Sequence, residues 1–336
     1  MKNILVLGAG GFVGAHLTKS LADIDGYQVC AIDIDDKKLQ DLNTDFDYRH
    51  LDLTTDKEEL SDLIQDHDII INLIAIANPS QYVSDPIGTF ELDFVENLWI
   101  VKQCVTHNKR LIHFSTSEVY GKSASHYDDK VHVFDEERTD LILGPINKHR
   151  WIYSSSKQLL ERVIHAYGLM ESLNYTIIRP FNYIGPKIDF LPSENEGIPR
   201  VFSLYMDALL QNSPMYIVNG GKQQRCYTDI RDATDAHLII VANEDDRTSQ
   251  QIINVGHRDN EITILGLAQK MRAIWLENYG DTLPKLSTIS GEEFYGLGYE
   301  DSDRRIPDSS KIEALGWTPK YTINDILLYT MAYYTR

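Results

Sequence analysis

The sequence predicts an α/β protein with a doubly wound parallel sheet, and three observations carry that expectation. Short, near-continuous apolar runs at residues 4–7, 28–32, 69–74, 111–114 and 175–178 alternate with longer amphipathic stretches. Runs of that length, apolar on both faces, belong in a parallel sheet covered on each side by crossover helices. The first run leads directly into a glycine turn, Gly8-Ala9-Gly10-Gly11-Phe12-Val13-Gly14, where a strand hands over to a helix. The 336 residues are 43% apolar, enough to bury a full core in one large domain or two unequal lobes.

Taken in order, Lys2 and the run at 4–7 superficially resemble a signal peptide. The apolar stretch is too short and runs into glycines, so it reads as a buried strand. Gly8, Gly11 and Gly14 permit a tight turn, close approach of a pyrophosphate to the backbone, and helix–sheet contact. The helix opening at Phe12 and Val13 supplies free N–H groups and a positive dipole for phosphates. A lone glycine pattern is weak evidence, since many turns are glycine-rich. Here Asp33 ends the second strand 19 residues past Gly14, where an acid grips the adenosine ribose hydroxyls. Asp33 also disfavours a 2′-phosphate, and no arginine follows it closely, so NAD is expected over NADP. Asp52 is a weaker candidate for adenine contact, with a solvated loop acid as its alternative. The first part is thus a Rossmann-type lobe.

Residues 89–107 carry Phe90, Leu92, Val95, Leu98, Val101 and Val105, the apolar stripe of a long helix. The run at 111–114 is followed at once by Ser115-Thr116-Ser117-Glu118-Val119-Tyr120-Gly121, placing hydroxyls and a carboxylate at the carboxyl edge of the sheet, where such folds bind ligands. Tyr153-Ser154-Ser155-Ser156-Lys157 sets a phenol and an amine four residues apart, on one helical face. A lysine ammonium and a nicotinamide charge beside that phenol are expected to lower its pKa from about 10 and make it a usable base. Alone, Tyr-x-x-x-Lys marks an ordinary surface helix and a strand-end serine or threonine is ordinary capping. All three motifs in this order form a constellation. After Arg179-Pro180 the texture changes, with Gly185-Pro186, Pro192, Pro199, Pro214 and Gly220-Gly221 punctuating short segments. Residues 251–255 read as one more sheet strand. The expected division is a dinucleotide-binding lobe over 1–180, rejoined by about 229–257, and a smaller α+β substrate-binding lobe over 181–228 and 258–336.

The formal net charge of −18 and a pI near 4.9 argue against nucleic acid or an anionic membrane as partner. A small anion remains compatible, because a few arginines in one cleft override the global charge. Cys30, Cys104 and Cys226 are widely spaced, which fits a reducing cytoplasm and neither a disulfide framework nor a zinc site. No metal ligand set is expected. No segment approaches the roughly 20 apolar residues needed to span a bilayer.

With the glycine turn, Thr116, Tyr153 and Lys157 in place, the chain resembles the extended short-chain dehydrogenase/reductase family, which modifies nucleotide sugars. Ser117-Glu118 after Thr116 is similar to the UDP-glucuronate decarboxylase branch. Trp151-Ile152-Tyr153, Lys157-Gln158-Leu159-Leu160, Arg179-Pro180-Phe181-Asn182, Gly220-Gly221-Lys222-Gln223 and residues 299–307 extend the likeness over essentially the whole chain. The resemblance implies that Tyr153 takes the C4 hydroxyl proton, Thr116 bonds that oxygen, and Ser117 and Glu118 surround the substrate carboxylate. It implies that Arg305 protonates C5 or holds the carboxylate, that Asn182 and Arg225 contact the diphosphate, and that Tyr82 and Tyr299 contact ring or sugar. It further implies a homodimer built from the helices at 89–107 and 153–167. UDP-apiose/xylose synthases are the nearest alternative, but ring contraction there relies on cysteines at positions matching Ala77 and Ser117. A UDP-xylose synthase, a 4-epimerase and a non-catalytic NAD-binding regulator are further alternatives.

Overall fold

The computed structural model describes residues 1–126, 133–194 and 197–335. Its main sheet comprises β1 (Lys2–Leu7), β2 (Tyr27–Asp33), β3 (Asp47–His50), β4 (Ile69–Asn72), β5 (Arg110–Phe114), β6 (Tyr175–Pro180) and β7 (Gln251–Val255). The strand order is β7-β6-β5-β4-β1-β2-β3, and every neighbouring pair is parallel. The chain therefore winds outward from β1 through β2 and β3, then crosses to β4 on the other side of β1. A crevice opens at the carboxyl ends of the strands at such a reversal.

Alternation along the strands feeds two cores. Ile4, Val6, Ala31, Ile69, Ile71 and Ile112 pack with Leu17 and Leu21 of helix Phe12–Ala22 and with Ala233 and Ile240 of helix Ile230–Ala242. Leu5, Leu7, Ile32, Ile70 and Leu111 pack on the other face with Leu63, Ile100, Leu160 and Ile164, from helices Lys57–Asp66, Asn97–Thr106 and Trp151–Glu171. Burial on both faces is why these strands read as unbroken apolar runs.

The helix expected over 89–107 departs from regular geometry. Pro86–Phe90 is α-helical, Glu91–Glu96 is π-helical, and Asn97–Thr106 is α-helical again. The wider turn rotates the stripe, so that Val101 is fully buried while Val95 is 37% exposed. It also carries the carboxylate of Asp93 into the interior, where Oδ1 accepts the Ile76 N–H at 3.0 Å. That bond ties the wide turn to the segment after β4.

Beyond β6 the chain builds smaller elements. Strand Gln224–Cys226 lies between Glu261–Thr263, antiparallel, and Arg304–Arg305, parallel. The parallel register sets Arg305 directly beside Arg225. Strand Met215–Val218 pairs with Leu286–Ile289.

Candidate active site

The glycine turn is shaped for close approach. Gly8 has φ +84°, a left-handed conformation that favours glycine. A Cβ at Gly14 would lie 2.2 Å from the Gly8 carbonyl oxygen, and one at Gly10 would lie 1.8 Å from that of Asp35. Helix Phe12–Ala22 starts at Gly11 with no side-chain cap, which leaves its first N–H groups to an outside acceptor. These features fit a dinucleotide pyrophosphate. Gly8, Gly11, Phe12, Val13 and Gly14 share one cleft with Thr116, Ser117, Glu118, Tyr153 and Asn182. Asp33 braces the turn: Oδ2 accepts the Gly10 N–H at 2.8 Å, and Oδ1 accepts those of Ile34 and Asp35 at 2.7 and 3.1 Å. Burial raises its carboxyl above the usual range, against the pull of those three N–H groups. Asp52 is placed differently. Its Oδ1 accepts from the Thr54 N–H and hydroxyl at 2.8 and 2.7 Å.

Helix Trp151–Glu171 delivers Tyr153 and Lys157 to the interior. The Tyr153 ring stacks on Tyr82 with centroids 4.4 Å apart and planes 5° from parallel. Thr116 caps the short turn Ser117–Tyr120, its Oγ1 accepting the Glu118 N–H at 3.1 Å. The expectation of a lowered phenol pKa included the nicotinamide charge; the groups of the chain itself push the other way. Burial holds the Tyr153 phenol well above its ordinary value, and the charges of Asp93 and Glu118 add to the rise, while hydrogen bonding from Thr116 and Tyr82 offsets part of it. The Lys157 ammonium instead donates to the Phe114 carbonyl at 3.3 Å. Burial lowers its pKa, and Asp93 and then Glu161 oppose that fall.

Next to the phenol lies a buried charge cluster. Glu118 is clasped between Arg150 and Arg305, the latter at 3.3 Å. Asp301 meets Arg225 at 2.8 Å, Arg305 at 3.1 Å and Arg150 at 3.7 Å. Asp301 thereby bridges the two arginines that strand register sets side by side. Arg305 Nε donates to the Ser302 hydroxyl at 2.7 Å, and Arg225 donates to the Ser302 carbonyl at 2.9 Å. Burial pushes both carboxyls upward, yet the guanidiniums outweigh it and hold Glu118 below, and Asp301 well below, the usual range. Three guanidiniums against two carboxylates leave one net positive charge, in a chain whose formal net charge is −18. That local sign suits an anionic ligand.

The cavity over this cluster is lined by Tyr82, Glu118, Arg150, Asn182, Arg225, Tyr299, Asp301 and Arg305. It shares Ala77, Tyr82, Glu118, Asn182 and Arg305 with the cleft at the glycine turn, so the two are continuous. Asn182 adopts φ +42° and donates to the Cys226 carbonyl at 3.2 Å. The Tyr299 ring stacks on Tyr295 at 4.3 Å, and its hydroxyl donates to Asp301 at 3.4 Å. The structure thus brings together Thr116, Ser117, Glu118, Tyr153, Tyr82, Asn182, Arg225, Tyr299 and Arg305, with Lys157 just behind. Sequence reasoning missed Arg150 and Asp301. The available signals were small: Arg150 stands three residues before Tyr153, and Asp301 four before Arg305.

The description "NAD dependent epimerase/dehydratase family" matches residues 4–256 of this chain. The chain belongs to that family. Among curated relatives of this family member is UDP-D-apiose/UDP-D-xylose synthase 2 of Arabidopsis thaliana, 38% identical over 98% of this chain and 90% of that one. Another is the bifunctional polymyxin resistance protein ArnA of Wigglesworthia glossinidia brevipalpis, 41% identical over 96% of this chain and 50% of ArnA. Among solved structures, the PbgP3 protein from Burkholderia pseudomallei matches with a TM-score of 0.87 at 35% identity, covering 99% of this chain and 96% of that one. As an NAD dependent epimerase/dehydratase family member the protein is an enzyme, and its cofactor is NAD. Among its described residues no helix is long and apolar enough to cross a membrane.

Proposed function

We propose that this enzyme oxidises UDP-glucuronate at C4 and decarboxylates the resulting keto acid, giving a UDP-4-keto-pentose or a UDP-pentose. The observation that carries the reading is Glu118 clasped by Arg150 and Arg305 in the cleft that also holds Thr116 and Tyr153. The turn Gly8, Gly11, Phe12, Val13 and Gly14, with Asp33, would hold NAD, which would supply a two-electron acceptor. Tyr153 accepts the C4 hydroxyl proton while the Thr116 hydroxyl holds the oxygen. Tyr153 by itself resists ionisation, and beside Lys157 it would serve as base once the cofactor's positive charge is in place. The C4 ketone and the C5 carboxylate then stand in a β-keto relation. Breaking the bond from C5 to the carboxylate carbon sends its electron pair to the C4 carbonyl, and C5 takes up a proton. Ser117 and Glu118 face the carboxylate, and Arg305 holds it or delivers the proton. Arg225 and Asn182 bind the diphosphate, and Tyr82 and Tyr299 pack on the sugar nucleotide.

The lobe over 1–180, rejoined by 229–257, would hold the cofactor, and 181–228 with 258–336 the nucleotide sugar. The exposed Val95 and Leu159, on the helical segments expected to dimerise, support a homodimer. Three buried free cysteines support a reducing, cytoplasmic setting. Likeness to apiose/xylose synthases favours a second reading, but Ala77 and Ser117 stand where that resemblance implies cysteines, so ring contraction is not supported. Adding UDP-glucuronate with NAD should raise absorbance at the NADH band and release carbon dioxide, and NMR identifies the pentose. Absence of both signals with a folded, NAD-bound protein contradicts the proposal.

A further inference from the structure

Lys157 is fully buried, and its environment does not balance its charge at first sight. Among the described residues its one direct oxygen partner is the neutral Phe114 carbonyl. Glu161, one helical turn further on, is committed elsewhere. Both its oxygens receive hydrogen bonds from Arg179, at 3.0 and 2.6 Å, and one also bonds the Ser115 hydroxyl. That pair cancels itself. Asp93 is an uncommitted acid. It is fully buried, its Oδ1 takes only the Ile76 N–H, and its Oδ2 has no hydrogen-bond partner among the described residues. It sits on the π-helical turn Glu91–Glu96, which packs against helix Trp151–Glu171.

We infer that Asp93 is a positioning residue: its buried carboxylate, on the π-helical segment packed against helix Trp151–Glu171, is the through-space counter-charge that keeps the Lys157 ammonium charged behind Tyr153. An isolated buried ammonium is costly and gives up its proton, so a lysine kept charged there requires an anion. Lys157 in turn draws the Asp93 carboxyl down, against a burial that pushes it up to about 6. The other titratable groups around this pair are Tyr153 and Glu161 on the same helix, Tyr82 on Pro79–Ser84, and His113 on β5. Burial and the Lys157 charge both hold His113 well below its ordinary pKa, so it stays neutral and offers no competing cation.

Asp93→Asn keeps an acceptor for Ile76 and removes the charge. A negative charge raises the pKa of both Tyr153 and Lys157, so its loss lowers both. The pH profile of NADH formation in pre-steady state should slide to lower pH on both limbs by roughly one unit. That readout rests on the reading of Tyr153 as base. A second needs neither substrate nor cofactor. At pH 8, Lys157→Met should lower the melting temperature more in the wild-type background than in Asp93→Asn, because only the former strands a carboxylate. If Asp93→Asn does not fold, Lys157→Met alone serves. Its loss in melting temperature should be larger at pH 8, where Asp93 is ionised, than at pH 5, where it is mostly protonated. Equal losses in either comparison overturn the inference and leave the proposed reaction untouched. An unmoved pH profile alongside a positive thermal cycle would instead count against Tyr153 as the base.

Discussion

At the scale of single residues, most roles follow from what burial does to a charge. Tyr153 is held protonated without cofactor, so it becomes a base only in the assembled site. Tyr153→Phe should cost roughly 10²–10⁴-fold in the rate of NADH formation while NAD binding, read by fluorescence titration, persists. Asp33 tests cofactor choice. Replacing it with serine, together with Ile34→Arg, should raise NADP affinity relative to NAD at least tenfold, for about 1.4 kcal/mol; equal binding of both cofactors by the native protein would contradict its placement. The sequence showed these residues to different degrees. Thr116, Tyr153 and Lys157 were legible because strand end and helical face fix them locally. Arg150 and Asp301 were not, because distant segments bring their partners: Arg150 meets Glu118 and Asp301, and Asp301 also meets Arg225.

At the scale of elements, two devices set the site. The glycine turn has no room for a side chain at Gly14, where a Cβ would lie 2.2 Å from the Gly8 oxygen. Gly14→Val should abolish NAD binding and destabilise the fold by about 1–3 kcal/mol, read by calorimetry with and without cofactor. The short strand pair at Arg225 and Arg305 places like charges side by side, which is destabilising on its own, and Asp301 resolves it. Because its folded pKa is depressed, Asp301 contributes stability that is fully present above its unfolded value and is lost as pH falls through the folded one. Asp301→Asn should therefore cost about 3–5 kcal/mol at pH 7, with the deficit against wild type shrinking as pH falls below about 4. Element type was largely legible in advance for the sheet, because strands buried on both faces announce themselves as apolar runs. The π-helical turn was not. The same apolar residues satisfy a regular helix, so their spacing does not reveal the wider turn at Glu91–Glu96.

At the scale of the molecule, the distribution of charge matters more than its total. A strongly acidic chain presents a cleft with a net positive cluster, so substrate affinity should fall as ionic strength rises, less steeply than for exposed charges because these arginines are buried. If the proposed homodimer forms, the exposed Val95 and Leu159 should be covered in solution, and light scattering at micromolar concentration should give twice the 38.5 kDa chain mass; a monomer would contradict it. The central claim is that one cleft performs oxidation and then decarboxylation with separable residues. A rapid-mixing experiment that follows NADH absorbance and labelled carbon dioxide together tests it most directly. In Tyr153→Phe both signals should disappear together. In Glu118→Gln and Arg305→Ala, NADH formation should persist while carbon dioxide release lags, so that the 4-keto acid accumulates. Equal losses of both signals in those two variants, with the fold intact, would contradict the separation of the two steps.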